Sequence, residues 1–208
     1  MNQCLQYGAM TMEDQMLPDP KDAAILNAAF EAFARYGLRR TSMADIAKGA
    51  GMSRPALYLH YSGKEDIFNA LVRIHFERSE TAVARVLEVV RKPAEAILAV
   101  FHAIDGDVVE VMLNSPHADE MLSANSPFSQ CAVQDAHARI TRNIARWITA
   151  GVAEGRLSLH GLGATAEDVA ATIMAAKFGI KSNAKDFVDY RAAEALLAAI
   201  FGKALSGP

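Results

Sequence analysis

Residues 41–64, TSMADIAKGAGMSRPALYLHYSGK, limit the possible folds of this chain more than any other segment. Thr41 or Ser42 can cap the N-terminus of a short helix, and Asp45 is placed to complete a capping box with Ser42. Gly51 can end the helix in the left-handed conformation. Apolar residues recur at spacings of three and four, which predicts one buried stripe. The stripe comprises Met43, Ile46, Ala47 and Ala50.

A second short helix is predicted from Arg54 to about Tyr61, with Ser53 as its cap and Pro55 in its first turn, where a missing N–H breaks no hydrogen bond. Leu57 is its one plain core residue, which is unusual for a structural helix. The other side chains suit a helix that enters the major groove of DNA. They are Arg54, Ala56, Tyr58, Leu59 and His60.

The pattern is a helix-turn-helix, which occurs in DNA-binding proteins and also as a purely structural unit of all-α proteins. Charge favours DNA. Residues 21–64 hold seven Lys and Arg against three Asp and Glu, a net charge of +4. The whole chain carries −3, so the remainder carries −7. A basic head on an acidic body concentrates positive potential where phosphates would lie.

Residues 25–68 resemble the DNA-binding domain of the tetracycline-repressor (TetR) family of bacterial transcription regulators. The resemblance implies that Ser42, Tyr58 and Lys64 bind phosphates. It also implies that the capped recognition helix reads bases, through a surface comprising Ser53, Arg54, Pro55, Ala56, Leu59 and His60. The positions that carry the resemblance are Phe33, Tyr36-Gly37, Thr41-Ser42, Ile46-Ala47, Ala50-Gly51, Leu57-Tyr58, His60-Tyr61 and Lys64-Glu65.

The expected fold is all-α, an N-terminal three-helix DNA-binding domain followed by a larger helical ligand-binding and dimerisation domain. Residues 1–18 are expected to form a disordered arm, residues 19–65 the DNA-binding domain and residues 66–208 the second domain. Cys4 and Cys131 lack metal-ligand spacing, so reduced thiols in a cytoplasmic protein are expected. We expect no cofactor, no metal and no membrane partner.

Five helices are predicted after residue 63. They run from Lys64 to near Arg91, from Pro93 to about Leu113, from about Phe128 to Glu154, from Ala166 to Lys181 and from Asp186 to Leu205.

Some side chains on these helices are candidates for a pocket that binds a small apolar or amphipathic ligand. The alternative for the polar ones is a surface histidine paired with a surface carboxylate. The family resemblance implies a cavity but no particular lining. The candidates are Phe101, His102, Asp105, Met112, Met121, Phe128, His137, Trp147, Met174 and Phe178.

The last two helices are rich in alanine, and the resemblance implies that they pair with their copies in a homodimer. The alternative is that their apolar stripes only cover the core of one chain. The predicted interface residues are Val169, Ile173, Ala176, Ile180, Val188, Ala192, Leu196, Ala199 and Ile200.

The predicted function is a homodimeric repressor that binds a palindromic operator in double-stranded DNA and leaves it when a small ligand binds. One alternative is a DNA-binding protein of the same fold without a small-molecule switch, controlled by a partner or acting in chromosome architecture. Another is an all-helical enzyme, but the sequence offers no nucleophile–base pairing, glycine-rich phosphate loop or metal-ligand cluster to support one.

Overall fold

The computed structural model describes residues 19–117, 120, 127–181 and 183–206, and for residues 127–132 it describes the backbone alone. Within these ranges the regular elements are all α-helices, which confirms the predicted fold class. The predicted arm, residues 1–18, lies outside the described residues. The helices are α1 Pro20–Tyr36, α2 Met43–Gly49, α3 Arg54–Tyr58, α4 Lys64–Val89, α5 Pro93–Asp105, α6 Val108–Leu113, α7 Pro127–Ala153, α8 Ala166–Lys181 and α9 Phe187–Leu205.

The helix predicted from Pro93 to Leu113 is in fact two helices, which is a correction to the sequence analysis. Gly106 ends α5 with φ of 53°, and its N–H donates to the carbonyl oxygen of His102 at 3.0 Å. A positive φ is readily adopted by glycine, so the chain can leave the helix at this point. The apolar periodicity continues into α6, so periodicity alone does not reveal the break.

The described residues form two compact units. The first comprises residues up to Leu71 together with residues 107–117 and Glu120. Its core is apolar, and the Phe33 and Phe68 rings meet edge to face with centroids 6.0 Å apart. The buried Thr41 hydroxyl donates to the carbonyl oxygen of Gly37 at 2.8 Å, which fixes the connection between α1 and α2.

Residues 107–117 and Glu120 are held in the first unit by polar contacts with α1 and with the connection that follows it. The Ser115 hydroxyl donates to the carbonyl oxygen of Ala34 at 2.6 Å. Glu120 Oε1 accepts from the backbone N–H of Arg39 at 2.7 Å. The boundary predicted between residues 65 and 66 falls inside α4, whose first residues, up to Leu71, belong to this unit.

The second unit comprises residues 72–106 and the described residues from 127 onward. In it α5 packs against α9, and α7 packs against α8. Helices α5 and α9 approach closely, since a Cβ added to Gly202 would lie 2.5 Å from the Cβ of Ala94. A cavity of about 10 Å³ beside Trp147 is near the space of a single water molecule, so this part of the core is closely packed.

A buried ionic network joins three helices of the second unit. Lys177 Nζ on α8 donates to Asp105 Oδ1 on α5 at 2.8 Å and also to Glu194 and Tyr190 on α9. Arg191 Nη1 donates to Asp105 Oδ2 at 3.0 Å and to Glu194 Oε2 at 2.6 Å. Two cations therefore face two carboxylates, and the charges balance. Burial raises the pKa of Glu194, an effect that the neighbouring Lys177 opposes.

Among the described helices, none has both the length and the apolar character that crossing a bilayer requires.

Candidate nucleic-acid interface

Helix α2 begins at the predicted capping box. The backbone N–H of Asp45 donates to Ser42 Oγ at 3.3 Å, and the backbone N–H of Ser42 donates to Asp45 Oδ2 at 2.9 Å. The Ser42 hydroxyl also donates to Asp45 Oδ2, and this bond is the largest cause of the lowered pKa of Asp45. Met43, Ile46 and Ala47 are buried on the inner face of α2, as predicted, whereas Ala50 lies just after the helix and is half-buried.

Helix α3 presents most of its surface to solvent. Ser53 caps it by accepting from the backbone N–H of Ala56 at 3.3 Å, as predicted. Leu57, with no exposed surface, is its one buried residue. The helix ends at Tyr58 rather than Tyr61, because the next two residues form turn-like bonds.

The outer face of α3 carries a cation held beside an aromatic ring. Arg54 Nη2 donates to the Tyr58 hydroxyl at 3.2 Å, and the guanidinium lies 5.6 Å from the centroid of the Tyr58 ring. Leu59 is 87% exposed, so its side chain does not contribute to the core of this unit. A donor fork, a phenol and an apolar group thus project together from one short segment. Pro55 is also exposed, and Ala56 is half-buried.

His60 links α3 to α1. Its Nδ1 lies 2.9 Å from Asp22 Oδ1, so His60 takes part in a contact between helices as well as lying on the predicted base-reading surface. His60 also borders a surface depression of about 400 Å³ in the first unit. The depression is lined by Pro20, Lys21, Ala24, Ala50, Gly51, Met52, Ala56, Leu59 and His60.

Lys64 has a structural task that the sequence did not reveal. Its ammonium donates to the carbonyl oxygens of Arg39 at 2.8 Å and Thr41 at 3.0 Å, which holds the connection between α1 and α2. These acceptors lie more than twenty residues away in sequence and left no local pattern. Phosphate binding by Lys64 stays a prediction. The phosphate would have to accept a third hydrogen bond from an ammonium that already donates two.

The described members of the predicted ligand set lie in different surroundings. Asp105 is already paired in the ionic network, and His102 lies in an exposed position. Met112 belongs to the first unit, whereas the other described candidates belong to the second. Met121 and the side chain of Phe128 lie outside the described residues. Buried in the apolar core are Phe101, Trp147 and Met174.

His137 and Phe178 form the one pair of these candidates brought into ring contact within the described residues, with centroids 4.0 Å apart. A core stripe and a pocket wall have the same sequence pattern, so the sequence alone does not separate the apolar core residues from a pocket.

The apolar residues predicted for a dimer interface differ in exposure. On α9, Val188, Leu196 and Ile200 are 76%, 63% and 53% exposed, and Ala192 and Ala199 are exposed too. On α8, Val169 and Ile173 are buried in the unit's own core, which corrects the predicted face of that helix. Ala176 and Ile180 are half-buried. The exposed small residues of α8 are Ala171, Thr172, Ala175 and Gly179.

Comparison with known proteins agrees with this geometry. Residues 25–71 match the family described as bacterial regulatory proteins, tetR family. The chain is 30% identical over 149 residues to the probable HTH-type transcriptional regulator ArpR of Pseudomonas putida, covering 66% of this chain and 70% of ArpR. It is 31% identical over 146 residues to the HTH-type transcriptional regulator TtgR, also of Pseudomonas putida, covering 65% of this chain and 69% of TtgR.

The fold is similar to that of SmeT in its complex with triclosan, with a TM-score of 0.68, 21% identity and coverage of 91% of this chain and 93% of SmeT. SmeT is the repressor of the Stenotrophomonas maltophilia multidrug efflux pump SmeDEF. The helix-turn-helix geometry, the family match and the two curated relatives lead to one conclusion. The chain belongs to the TetR family of bacterial transcriptional regulators.

Proposed function

We propose that this regulator is a homodimeric repressor that binds a palindromic operator and leaves it when a small molecule binds to its helical body. The observation that carries the proposal is the outer face of α3. One buried leucine anchors that helix, and the side chains around it are offered to solvent rather than to the core.

Arg54 is the proposed base-reading residue. Its exposed guanidinium can form a bidentate contact with guanine O6 and N7 in the major groove, which discriminates bases by about 1–3 kcal/mol. The Tyr58 ring beside it limits the number of guanidinium orientations before DNA arrives. We assign Tyr58, Ser42 and Lys64 to phosphates and the remaining predicted residues of the α3 surface to the groove.

The exposed face of α9 supports a homodimer. Val188, Leu196 and Ile200 follow one side of the helix, and a contiguous apolar patch of this kind marks an interaction surface. Two copies related by a twofold axis would present two α3 helices to half-sites about 34 Å apart. On α8 we propose that the exposed small residues, rather than Val169 and Ile173, face the second copy.

Release by a ligand is proposed by analogy with SmeT, which forms a complex with triclosan. A coupling free energy of about 1–3 kcal/mol between the two sites would lower DNA affinity roughly 5- to 150-fold. The second candidate, the same fold without a small-molecule switch, predicts equal DNA affinity with every ligand tried.

The test is fluorescence-anisotropy titration of DNA from upstream of the protein's own gene, with a scrambled duplex as competitor and salt varied. Arg54→Ala should weaken specific binding by about 5- to 150-fold. Arg85→Ala is the matched control, because it removes an equal charge from an exposed position on α4 in the second unit. Equal losses in both variants, or equal affinity for both duplexes, would contradict base reading by Arg54.

A further inference from the structure

A row of rings crosses three helices of the second unit, apart from the ionic network. His75 and Phe76 of α4 have ring centroids 5.1 Å apart, and Phe76 lies 5.3 Å from His137 of α7. His137 in turn lies 4.0 Å from Phe178 of α8. Aromatic rings at these distances provide flat apolar surface on which another ring can stack.

Within the described part of the chain, one polar atom of this row lacks a hydrogen-bond partner and one cation beside it lacks an ion pair. His137 Nε2 is buried and has no hydrogen-bond partner among the residues described. A buried polar atom left in this state destabilises the folded protein. Lys181, one turn after Phe178 on α8, is partly buried and forms no ion pair with any carboxylate of the described chain.

The nearby carboxylates cannot fully satisfy Lys181. Asp105 and Glu194 contribute favourable electrostatics to it, but both are already bonded to Lys177 and Arg191. Since that network is already neutral, the partly buried Lys181 adds one positive charge that the network does not balance. A buried charge is normally paired, so this position favours an anion.

Electrostatics define what the site offers at neutral pH. Burial, the larger cause, and the positive charge of Lys181 together lower the pKa of His137 and of His75 to about 4, and Arg78 also contributes at His75. Both imidazoles are therefore neutral near pH 7, and His137 can donate one N–H without adding charge. Asp105 opposes the shift at His75.

We propose that Lys181 and His137, with the rings of Phe76 and Phe178, form a binding site for a small aromatic carboxylate. The carboxylate pairs with the Lys181 ammonium and accepts a hydrogen bond from His137 Nε2, while the aromatic body packs on the phenylalanine rings. A monovalent anion matches the single uncompensated charge, whereas a dianion such as phosphate would leave one charge unpaired. This inference rests on the proposed function, because it names the class of ligand that releases the repressor.

The binding test uses isothermal titration calorimetry at pH 7 without DNA. The probes are benzoate and 1-naphthoate, compared with their neutral amides, benzamide and 1-naphthamide. We expect the carboxylates to bind the unmodified protein at least about tenfold more tightly than the amides, a difference of about 1.4 kcal/mol, since only a carboxylate can pair with the Lys181 ammonium.

Lys181→Met should abolish the preference for carboxylate over amide, and Lys181→Arg should retain it. His137→Phe should weaken carboxylate binding while keeping the ring row packed. The matched control is Lys185→Met, which removes an equal charge from an exposed position just after α8. Equal binding of acids and amides, no binding at millimolar concentration, or an unchanged preference in Lys181→Met would each overturn the site.

Anisotropy with operator DNA separates this inference from the proposed function. If the carboxylates bind but DNA stays bound, the site stands and ligand release fails. If the protein binds no specific DNA at all, the calorimetric comparison still decides the site. If the carboxylates bind and DNA is released in the unmodified protein but not in Lys181→Met, both proposals hold.

Discussion

Removing the central cation of the ionic network should destabilise the second unit strongly. Lys177 is 1% exposed, and its carboxylate partners Asp105 and Glu194 are 2% and 0% exposed. Lys177→Met largely keeps the volume of the side chain, but it leaves Arg191 as the one cation of the network to pair with two buried carboxylates. Breaking a buried ion pair from one side lowers stability by about 3–5 kcal/mol. A domain's free energy of unfolding is only about 5–15 kcal/mol, so this loss is a large part of it.

Urea denaturation followed by Trp147 fluorescence and circular dichroism measures the change. The control is Lys92→Met, which breaks an exposed pair between Lys92 Nζ and Glu95 Oε1 at 2.9 Å. Exposed pairs contribute about 0–1 kcal/mol, so the control should unfold close to the unmodified protein. If Lys177→Met loses less than about 1 kcal/mol, the network does not hold the helices together as argued.

The pH dependence gives a second check. Burial raises the pKa of Glu194 above its ordinary 4.5, and Lys177 opposes this rise, so losing Lys177 should raise that pKa further. A carboxyl group with a raised pKa favours the folded state below 4.5 and disfavours it as pH rises through the folded value. The deficit of Lys177→Met should thus grow above pH 4.5, and adding Glu194→Gln should reduce it. A deficit that is constant with pH would refute the reasoning.

Three other predictions concern the remaining features. Leu196→Glu should convert the proposed dimer into a monomer, because it places a charge on the exposed apolar face of α9. Light scattering after gel filtration measures the molecular mass, and a monomeric unmodified protein would contradict the proposed dimer. Gly202→Ala should lower the unfolding free energy by about 1–3 kcal/mol in urea titration, because the new methyl group meets Ala94; an unchanged midpoint would show that α5 and α9 can separate freely. The free energy of unfolding should fall as pH drops from 6.5 to about 4, because the unfolded chain protonates His75 and His137 in this range and the folded protein does not. His137→Phe should make this pH dependence less steep in urea titrations, and an equally steep curve would contradict the role of His137.

Local features of the fold could be predicted from the sequence. The capping box of Ser42 with Asp45 and the cap at Ser53 are predictable because all participating residues lie within three positions of one another. The bounds of α8 were also predicted correctly, since the alanine-rich segment from Ala166 to Lys181 has clear breaks on both sides. Short-range hydrogen bonding leaves a pattern that residue order alone can reveal.

Long-range contacts could not be predicted. Asp105 and Lys177 are 72 positions apart, and Lys64 reaches carbonyl oxygens 23 and 25 positions before it. The inward face of α8 was predicted partly wrongly because alanine and aliphatic residues occur around much of that helix. When apolar residues occur around a whole helix, their spacing does not show which face points inward. For the same reason, core and pocket residues of the second unit could not be separated.

Helix α9 carries internal polar contacts on one side and the proposed dimer surface on the other. Tyr190 and Glu194 fix its inner side to α5 and α8, while Leu196 stands on the opposite side. In the proposed dimer, a surface supported in this way has little conformational freedom to lose on association, where each newly immobilised side chain otherwise opposes binding by about 0.5–1.5 kcal/mol. The buried ionic network of one chain thus fixes the position of the exposed face of α9. We therefore expect substitutions inside the unit to alter the proposed assembly without changing any residue of the surface where two copies would meet.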